Sequence, residues 1–259
     1  MFLERETSTM LQFETKKEQI ERFFLLLSQY GDKRPKPDRN LDQFWAVEET
    51  VLRRAIILGN IKEISQKSLL FLGDSDLTSI AFSLFYNAKR VSVVDIDHRV
   101  LGFLKDISKN EGFPIELYEH DLRDPLDKAR FNNYDIVFFD PPYTPQGVNT
   151  WLIRVMEATL ETGDNKKRKK PEFLSSKQYL MCYGYTNVST ERGLKIQQIV
   201  TSLGLIIQEK VRGFNKYYKA KSIGSVSDLY ILQPTPAVNI RKLDIARSHF
   251  YTGQKKTKI

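Results

Sequence analysis

The sequence predicts an α/β protein with a mostly parallel, twisted sheet that carries helices on both faces. Short apolar segments with the length of strands recur from residue 68 onward, and helix-like segments separate the first four of them. Such alternation is typical of a parallel sheet whose strands are buried on both faces. A chain of 259 residues with 41% hydrophobic and 28% charged residues is long enough to bury the required core.

The predicted elements follow one another without an internal repeat. We predict seven strands, at residues 68–73, 90–95, 115–120, 134–140, 178–184, 205–213 and 227–234. We predict helices beside them at residues 77–87, 98–110, 148–162 and 189–203. The strand-helix order is that of a Rossmann-like sheet, whose ligands bind beyond the carboxyl ends of the strands.

Three regions divide the predicted chain. Residues 1–64 form a short helical N-terminal extension. It contains an amphipathic segment at 14–30 and a second predicted helix at 47–60, which has acids in its first turn and a glycine at its end. Residues 65–233 form the Rossmann-like catalytic domain. Residues 234–259 form a basic C-terminal tail that we expect to be loosely ordered.

The net charge of +8, with an isoelectric point near 9.3, points to a polyanionic partner such as nucleic acid. However, two acid-free segments, 165–170 and 254–259, hold eight of the 40 lysines and arginines. We therefore favour solvated basic segments, with nucleic acid as the alternative partner.

A single cysteine, Cys182, excludes an internal disulfide and, with only three histidines in the chain, argues against a zinc site. The first residues lack the layout of a signal peptide, and the longest apolar runs are too short to span a bilayer. These observations predict a cytoplasmic protein that needs no metal and contacts no membrane.

Acids follow each of the first four predicted strands: Asp74 and Asp76, Asp95 and Asp97, Asp121 after His120, and Asp140. Aspartate is a common helix N-cap, and Asp76 and Asp97 fit that explanation well. Four such positions at one edge of a sheet favour a ligand site instead. Asp95 is placed to bind ribose hydroxyls, and Asp121 is placed to accept a hydrogen bond from an adenine amino group. This layout resembles the class I S-adenosylmethionine-dependent methyltransferase fold over residues 66–232.

The segment FFDPPYT, residues 138–144, resembles the Asp-Pro-Pro-Tyr motif of enzymes that modify an amino nitrogen. Asp140 and the carbonyl of Pro141 can accept hydrogen bonds from the attacking nitrogen, and the two prolines hold that carbonyl rigid. Tyr143 can stack on a base or cover a cationic alkyl chain. The structural alternative is a turn that merely contains two prolines. The motif predicts an amine nucleophile without saying which amine.

The turn Gly73-Asp74-Ser75-Asp76 departs from the glycine-rich turn that usually binds the methionine part of S-adenosylmethionine. Its two carboxylates would repel a ligand carboxylate and attract ammonium groups. Decarboxylated S-adenosylmethionine has that charge pattern, and a polyamine acceptor would also suit the turn. The turn therefore favours aminopropyl transfer over methyl transfer.

Five segments resemble the branched-chain polyamine synthases, the N4-bis(aminopropyl)spermidine synthases, namely residues 41–58, 71–84, 90–97, 119–123 and 140–144. The resemblance implies transfer of aminopropyl groups from decarboxylated S-adenosylmethionine to the secondary amine of spermidine, with methylthioadenosine released. Two departures stand out: Ser75 replaces the middle acid of the family's Gly-Asp-Asp-Asp motif, and the N-terminal helical region is shorter. A homodimer is a further hypothesis.

The resulting mechanism is an in-line attack by a neutral amine on the carbon next to the sulfonium. In it, Asp76 is the general base and Asp140 orients the nucleophile. The remaining assignments are Gly73, Asp74, Asp95 and Asp121 for the donor, and Asp74, Asp76, Pro141 and Tyr143 for the acceptor.

Two other functions remain open at this point. A methyltransferase acting on an exocyclic nitrogen of nucleic acid shares the Asp-Pro-Pro-Tyr motif, and the basic segments favour it. A non-catalytic relative that binds an adenosyl ligand or a partner is the third hypothesis, because Ser75 removes an acid. Trp151 and Met156 are predicted to face the core, and residues 213–225 are predicted to be a long hairpin connection.

Overall fold

A computed structural model describes residues 17–160, 170–185, 189–220, 224–238 and 250–252. Seven strands form one sheet: β1 Ser68–Leu72, β2 Arg90–Asp95, β3 Ile115–Glu119, β4 Ile136–Phe139, β5 Gln178–Tyr183, β6 Leu205–Lys216 and β7 Val226–Pro234. All seven predicted strands are confirmed, and most of them differ from the prediction by one to three residues at an end.

The strand order is β3-β2-β1-β4-β5-β7-β6. The first five strands are parallel neighbours, whereas β7 is antiparallel to both β5 and β6. The reversal follows from the short connection between β6 and β7, which can join only antiparallel strands. The predicted Rossmann-like, class I methyltransferase fold is confirmed. Strands β6 and β7 form the predicted hairpin, but residues 213–216 belong to β6 and not to the connection.

Helices cover the sheet: α1 Lys17–Tyr30, α2 Glu48–Gly59, α3 Thr78–Phe85, α4 His98–Glu111, α5 Pro145–Thr159, α6 Pro171–Ser175 and α7 Thr190–Ser202. The helix predicted to begin at residue 148 begins at Pro145, because the Thr144 side chain accepts a hydrogen bond from the amide of Gly147. The five-residue helix α6 carries too short a pattern to be predicted, and it was missed.

The N-terminal helices belong to the same hydrophobic core as the sheet. Phe23 of α1 and the α2 residues Leu52 and Leu58 are buried in the same core cluster as the fully buried strand β1. The boundary predicted at residue 64 stays a prediction.

Strand register brings three of the predicted site positions together. Leu72 of β1 is the partner of Val94 in β2 and of Phe139 in β4. The next residue of each strand is therefore Gly73, Asp95 or Asp140, and the three lie side by side at the carboxyl edge of the sheet.

The C-terminal residues 250–252 pack against the body of the protein instead of being loosely ordered. Phe250 and Tyr251 are buried, and the Thr144 hydroxyl donates to the carbonyl of Phe250 at 2.7 Å. Burial of these two aromatic side chains holds the segment in place, although the basic composition of the tail suggested loose order. Most of the basic segment 165–170 and all of 254–259 lie outside the described residues. Within the described part of the chain, no helix is both long and apolar enough to cross a membrane.

Candidate active site

A cleft opens at the carboxyl ends of β1, β2 and β4 and encloses about 1080 Å³, counting the open space at its mouth. All but one of the predicted site residues line it: Gly73, Asp74, Asp76, Asp95, Asp140, Pro141 and Tyr143. Residues 41–44 of the N-terminal part and 250–252 of the C-terminal part also border it. The cleft is therefore built from both ends of the chain around one edge of the sheet.

Asp76 is held by two donors from the N-terminal part of the chain. Its Oδ1 atom accepts from the amide of Ala46 at 2.6 Å, and its Oδ2 atom accepts from Nη1 of Arg54 at 2.7 Å. The side chain is buried, yet it reaches the cleft. The suggestion that Asp76 fits a helix cap is wrong, because Leu77 takes the cap position with φ of 65° and Asp76 turns away from the helix.

Asp74 instead caps helix α3. Its Oδ1 atom accepts from the amide of Thr78 at 2.8 Å, and its Oδ2 atom accepts from the Ser79 hydroxyl at 2.5 Å. Burial raises the pKa of Asp74 to about 7, and the Ser79 hydrogen bonds oppose that rise. Asp74 lines the cleft, where it could reach a ligand ammonium. That contact stays a prediction.

Asp95 is buried at the end of β2 and braces the two turns beside it. Its Oδ2 atom accepts from the amide of Asp74 at 3.0 Å, and its Oδ1 atom accepts from the amide of Asp97 at 2.9 Å. Burial raises the pKa of Asp95 to about 6. Asp97 is the N-cap of α4, as the sequence suggested. The ribose contact of Asp95 stays a prediction.

Asp121 is the predicted site residue that the structure does not place on the cleft wall. Its carboxylate forms an ion pair with Arg123 at 2.5 Å, while the neighbouring His120 and Leu122 line the cleft. The His120 ring contacts the carbonyl of Asp124 at 3.1 Å. The adenine contact of Asp121 stays a prediction.

Arg54 is the central residue that the sequence analysis missed. Its guanidinium, 1% exposed, donates to Asp76 at 2.7 Å and to Asp140 at 2.9 Å. Further hydrogen bonds join its Nε to Asn215 at 2.8 Å and its Nη2 to the Tyr217 hydroxyl at 3.0 Å. One buried cation therefore holds both acids that were predicted to act in catalysis.

A signal for Arg54 was present in helix α2. Arg54 follows Val51 by three residues and precedes Leu58 by four, and both of these apolar side chains are buried. Residues with that spacing share a helix face, so Arg54 interrupts the apolar stripe that faces the core. A buried arginine requires anionic partners, and the strand-end acids were the candidates.

The Asp140 carboxylate is oriented by two tyrosines as well as by Arg54. The Tyr143 hydroxyl donates to its Oδ1 atom at 2.8 Å, and the Tyr217 hydroxyl donates to its Oδ2 atom at 2.6 Å. Ser227 lies 2.8 Å from the Tyr217 hydroxyl. Burial raises the pKa of Asp140, whereas Arg54 and the two hydroxyls oppose the rise.

Aromatic side chains form the wall next to the Asp-Pro-Pro-Tyr turn. The Tyr143 ring lies 5.2 Å from that of Tyr183 and 6.0 Å from that of Tyr185, measured between centroids. Trp151 and Met156 are both buried in the core as predicted, and Trp151 also lines the cleft. Such a wall can hold an alkyl chain and its ammonium.

Gly73 is required at the start of the turn. Its φ is +67°, and a Cβ atom there would lie 3.0 Å from the Trp151 ring. Any other residue would be strained by the backbone and crowded by the indole. Among the described residues, no group of three or more His, Cys, Asp or Glu side chains could hold a metal ion.

The model of the branched-chain polyamine synthase A C-terminal domain family matches residues 24–232. The chain belongs to the branched-chain polyamine synthase family. Among curated relatives of the chain, an uncharacterized protein of Methanocaldococcus jannaschii is 32% identical over 194 residues, 75% of this chain and 45% of the relative. The N(4)-bis(aminopropyl)spermidine synthase of Thermococcus kodakarensis is 30% identical over 209 residues, 77% of this chain and 54% of the relative.

The chain therefore spans about half the length of the curated relatives it matches. Among solved structures, it is similar to the branched-chain polyamine synthase of Thermus thermophilus in complex with N4-aminopropylspermidine and 5'-methylthioadenosine. The TM-score is 0.71 at 24% identity, and the match covers 88% of this chain and 67% of that one. At this identity the similarity shows a shared fold.

Proposed function

We propose that this chain transfers an aminopropyl group from decarboxylated S-adenosylmethionine to an amine nitrogen of a polyamine such as spermidine, with release of methylthioadenosine. The observation that carries the proposal is the pair of carboxylates, Asp76 and Asp140, which Arg54 holds within one cleft. Membership of the polyamine synthase family supports it, as do the ligands bound to the similar structure from Thermus thermophilus.

The charge of the turn supports a donor without a carboxylate. Asp74 and Asp76 border the cleft on either side of Ser75, and Asp76, together with the ionised form of Asp74, would repel the carboxylate of intact S-adenosylmethionine. They would attract the ammonium of the aminopropyl chain. We assign the ribose to Asp95 and the adenine to Asp121, and Gly73 lets the donor approach the backbone.

The reaction that we propose is a single displacement. The lone pair of a neutral amine attacks the carbon next to the sulfonium, and a new N–C bond forms. The C–S bond breaks with its electron pair going to sulfur, which leaves the neutral thioether methylthioadenosine. In-line positioning supplies most of the rate, because a sulfonium is already a good leaving group.

We assign the orientation of the amine to Asp140 and the carbonyl of Pro141, and the role of proton acceptor to Asp76. Two carboxylates share one guanidinium, so the network keeps one net negative charge to attract the amine and its departing proton. Tyr143 covers the alkyl chain. Nucleic-acid binding and a homodimer remain hypotheses, since residues 165–169 and 254–259 lie outside the described chain.

Incubation with decarboxylated S-adenosylmethionine and spermidine, followed by mass spectrometry of the amines, tests the proposal. We expect spermidine to gain the mass of one or more aminopropyl groups. We expect Asp76→Asn to lower the rate on the order of 100-fold while the protein stays folded, because the proton acceptor is lost. Unaltered amines across a panel of polyamines would refute the proposal. Wild-type turnover by Asp76→Asn would refute the assignment of the proton acceptor.

A further inference from the structure

Arg34 brings a second cation to the acidic turn. Its Nη2 atom donates to the carbonyl of Ser75 at 2.9 Å, and its guanidinium lies 4.5 Å from the centroid of the Trp45 ring. Trp45 is itself fixed, because its carbonyl accepts from the amide of Tyr218 at 2.8 Å. The guanidinium is therefore held at Ser75, between the two acids of the turn.

The charge of Arg34 acts on the neighbouring acids from a short distance. Burial lowers the pKa of Arg34, while the negative charges of Asp76, Glu48 and Asp74 raise it. Arginine nevertheless keeps its proton in proteins. Within the described chain, no acid lies within ion-pair distance of Arg34, and its buried Nε atom has no hydrogen-bond partner. The positive charge of Arg34 is therefore not neutralised by an ion pair with one acid.

We propose that Arg34 is a specificity-determining residue, which reduces the preference of the site for longer polyamines over acceptor amines with few ammonium groups. The inference rests on the proposed aminopropyl transfer. Ser75 lines the cleft, so the cation bound to its carbonyl opposes every ammonium group that approaches the turn. Both this repulsion and the attraction by Asp76 and Asp140 grow with the number of ammonium groups, so Arg34 reduces the advantage that the two carboxylates give to a longer polyamine.

An acceptor series with the variant Arg34→Met tests this inference. The acceptors are a diamine, a triamine and a tetraamine with three-carbon spacing, and kcat/KM is measured by methylthioadenosine release. We expect the ratio of tetraamine to diamine to rise on the order of tenfold in Arg34→Met, since one unit charge near the acceptor is removed. An unchanged ratio would overturn the inference.

Arg53 provides a matched control for the loss of a stacked arginine. Its guanidinium lies 4.6 Å from the centroid of the Phe214 ring and donates to the carbonyl of Phe214 at 3.4 Å. It therefore repeats both kinds of contact that Arg34 makes, at a carbonyl outside the acidic turn. We expect Arg53→Met to leave the tetraamine to diamine ratio unchanged, and an equal rise in that variant would contradict the inference.

Ser75→Asp tests the same charge balance without removing a packed side chain. The added carboxylate would stand on the residue whose carbonyl Arg34 binds, and we expect it to raise the ratio in the same direction. Calorimetric binding of the three amines reports the preference without turnover. An absence of methylthioadenosine with every amine would count against the proposed function, whereas binding ratios that neither Arg34→Met nor Ser75→Asp changes would overturn the inference itself.

Discussion

Arg54 connects two acids that are distant in sequence, and its burial makes the connection costly to break. A guanidinium suits this position because its planar fork can donate to Asp76 and Asp140 at once, as well as to Asn215. A lysine would keep the charge but could not hold both carboxylates in the same geometry. The site therefore depends on one residue for charge balance and for orientation.

Replacing Arg54 by methionine should destabilise the protein, because two buried carboxylates would lose their counter-ion. We expect a loss of about 3–5 kcal/mol in the free energy of unfolding, measured by urea denaturation. Arg54→Lys should lose less stability yet lower turnover on the order of 100-fold, because the two carboxylates would no longer be held in the same geometry. The neighbouring variant Arg53→Met serves as the control. An Arg54→Met protein with wild-type stability would contradict the described network.

The Tyr217 hydroxyl stabilises the ionised form of Asp140. Tyr217→Phe should therefore raise the pKa of Asp140 above its already raised value. If ionised Asp140 orients the amine, the acidic limb of the kcat/KM profile should move to higher pH by about one unit. Tyr218→Phe is the control, because the Tyr218 hydroxyl donates to Glu48 and Tyr218 is 45% exposed. Coincident acidic limbs for Tyr217→Phe and wild type would contradict this role.

At the scale of elements, the apolar patterns predicted the sheet and nearly all of its helices, while the roles within one turn were predicted less well. Asp76 fitted a cap by its position before helix α3, but Asp74 provides the capping contacts. The difference arises at Leu77, whose φ of 65° turns the chain between them. A leucine in that conformation is uncommon, so its sequence context does not signal it.

The cap formed by Asp74 makes stability depend on pH. The pKa of Asp74 is about 7 in the folded protein and 3.8 as its ordinary value, so the folded state keeps a proton that the unfolded chain has lost. Stability from this group is therefore full at low pH and falls as the pH rises toward 7.

We expect the free energy of unfolding of wild type, relative to Asp74→Asn, to fall by about 2 kcal/mol between pH 5 and pH 8. Asparagine keeps an acceptor for the amides of α3 but cannot ionise in this range. The comparison removes the contribution of Asp95, whose raised pKa acts in the same direction in both proteins. A difference that stays constant over this range would contradict the buried position of Asp74.

At the scale of the whole molecule, the cleft depends on contacts between distant parts of the chain. Arg54 and Tyr217 are 163 positions apart, and Thr144 and Phe250 are 106 apart. Local patterns predicted the acids at the strand ends, because each acid follows its own strand. They could not predict Arg54, Tyr217 or Phe250 as neighbours of the site. Those contacts form only when the folded sheet brings the N-terminal and C-terminal parts of the chain together.

The overall charge of +8 opposes the entry of a cationic acceptor, and the acids of the cleft must overcome it at short range. The most direct test of the account is therefore the nucleoside released when the protein receives decarboxylated and intact S-adenosylmethionine in equal amounts, with and without spermidine. We predict methylthioadenosine, formed only when spermidine is present. S-adenosylhomocysteine as the product would contradict the account, because it would show that the Gly73–Asp76 turn binds a donor with a carboxylate.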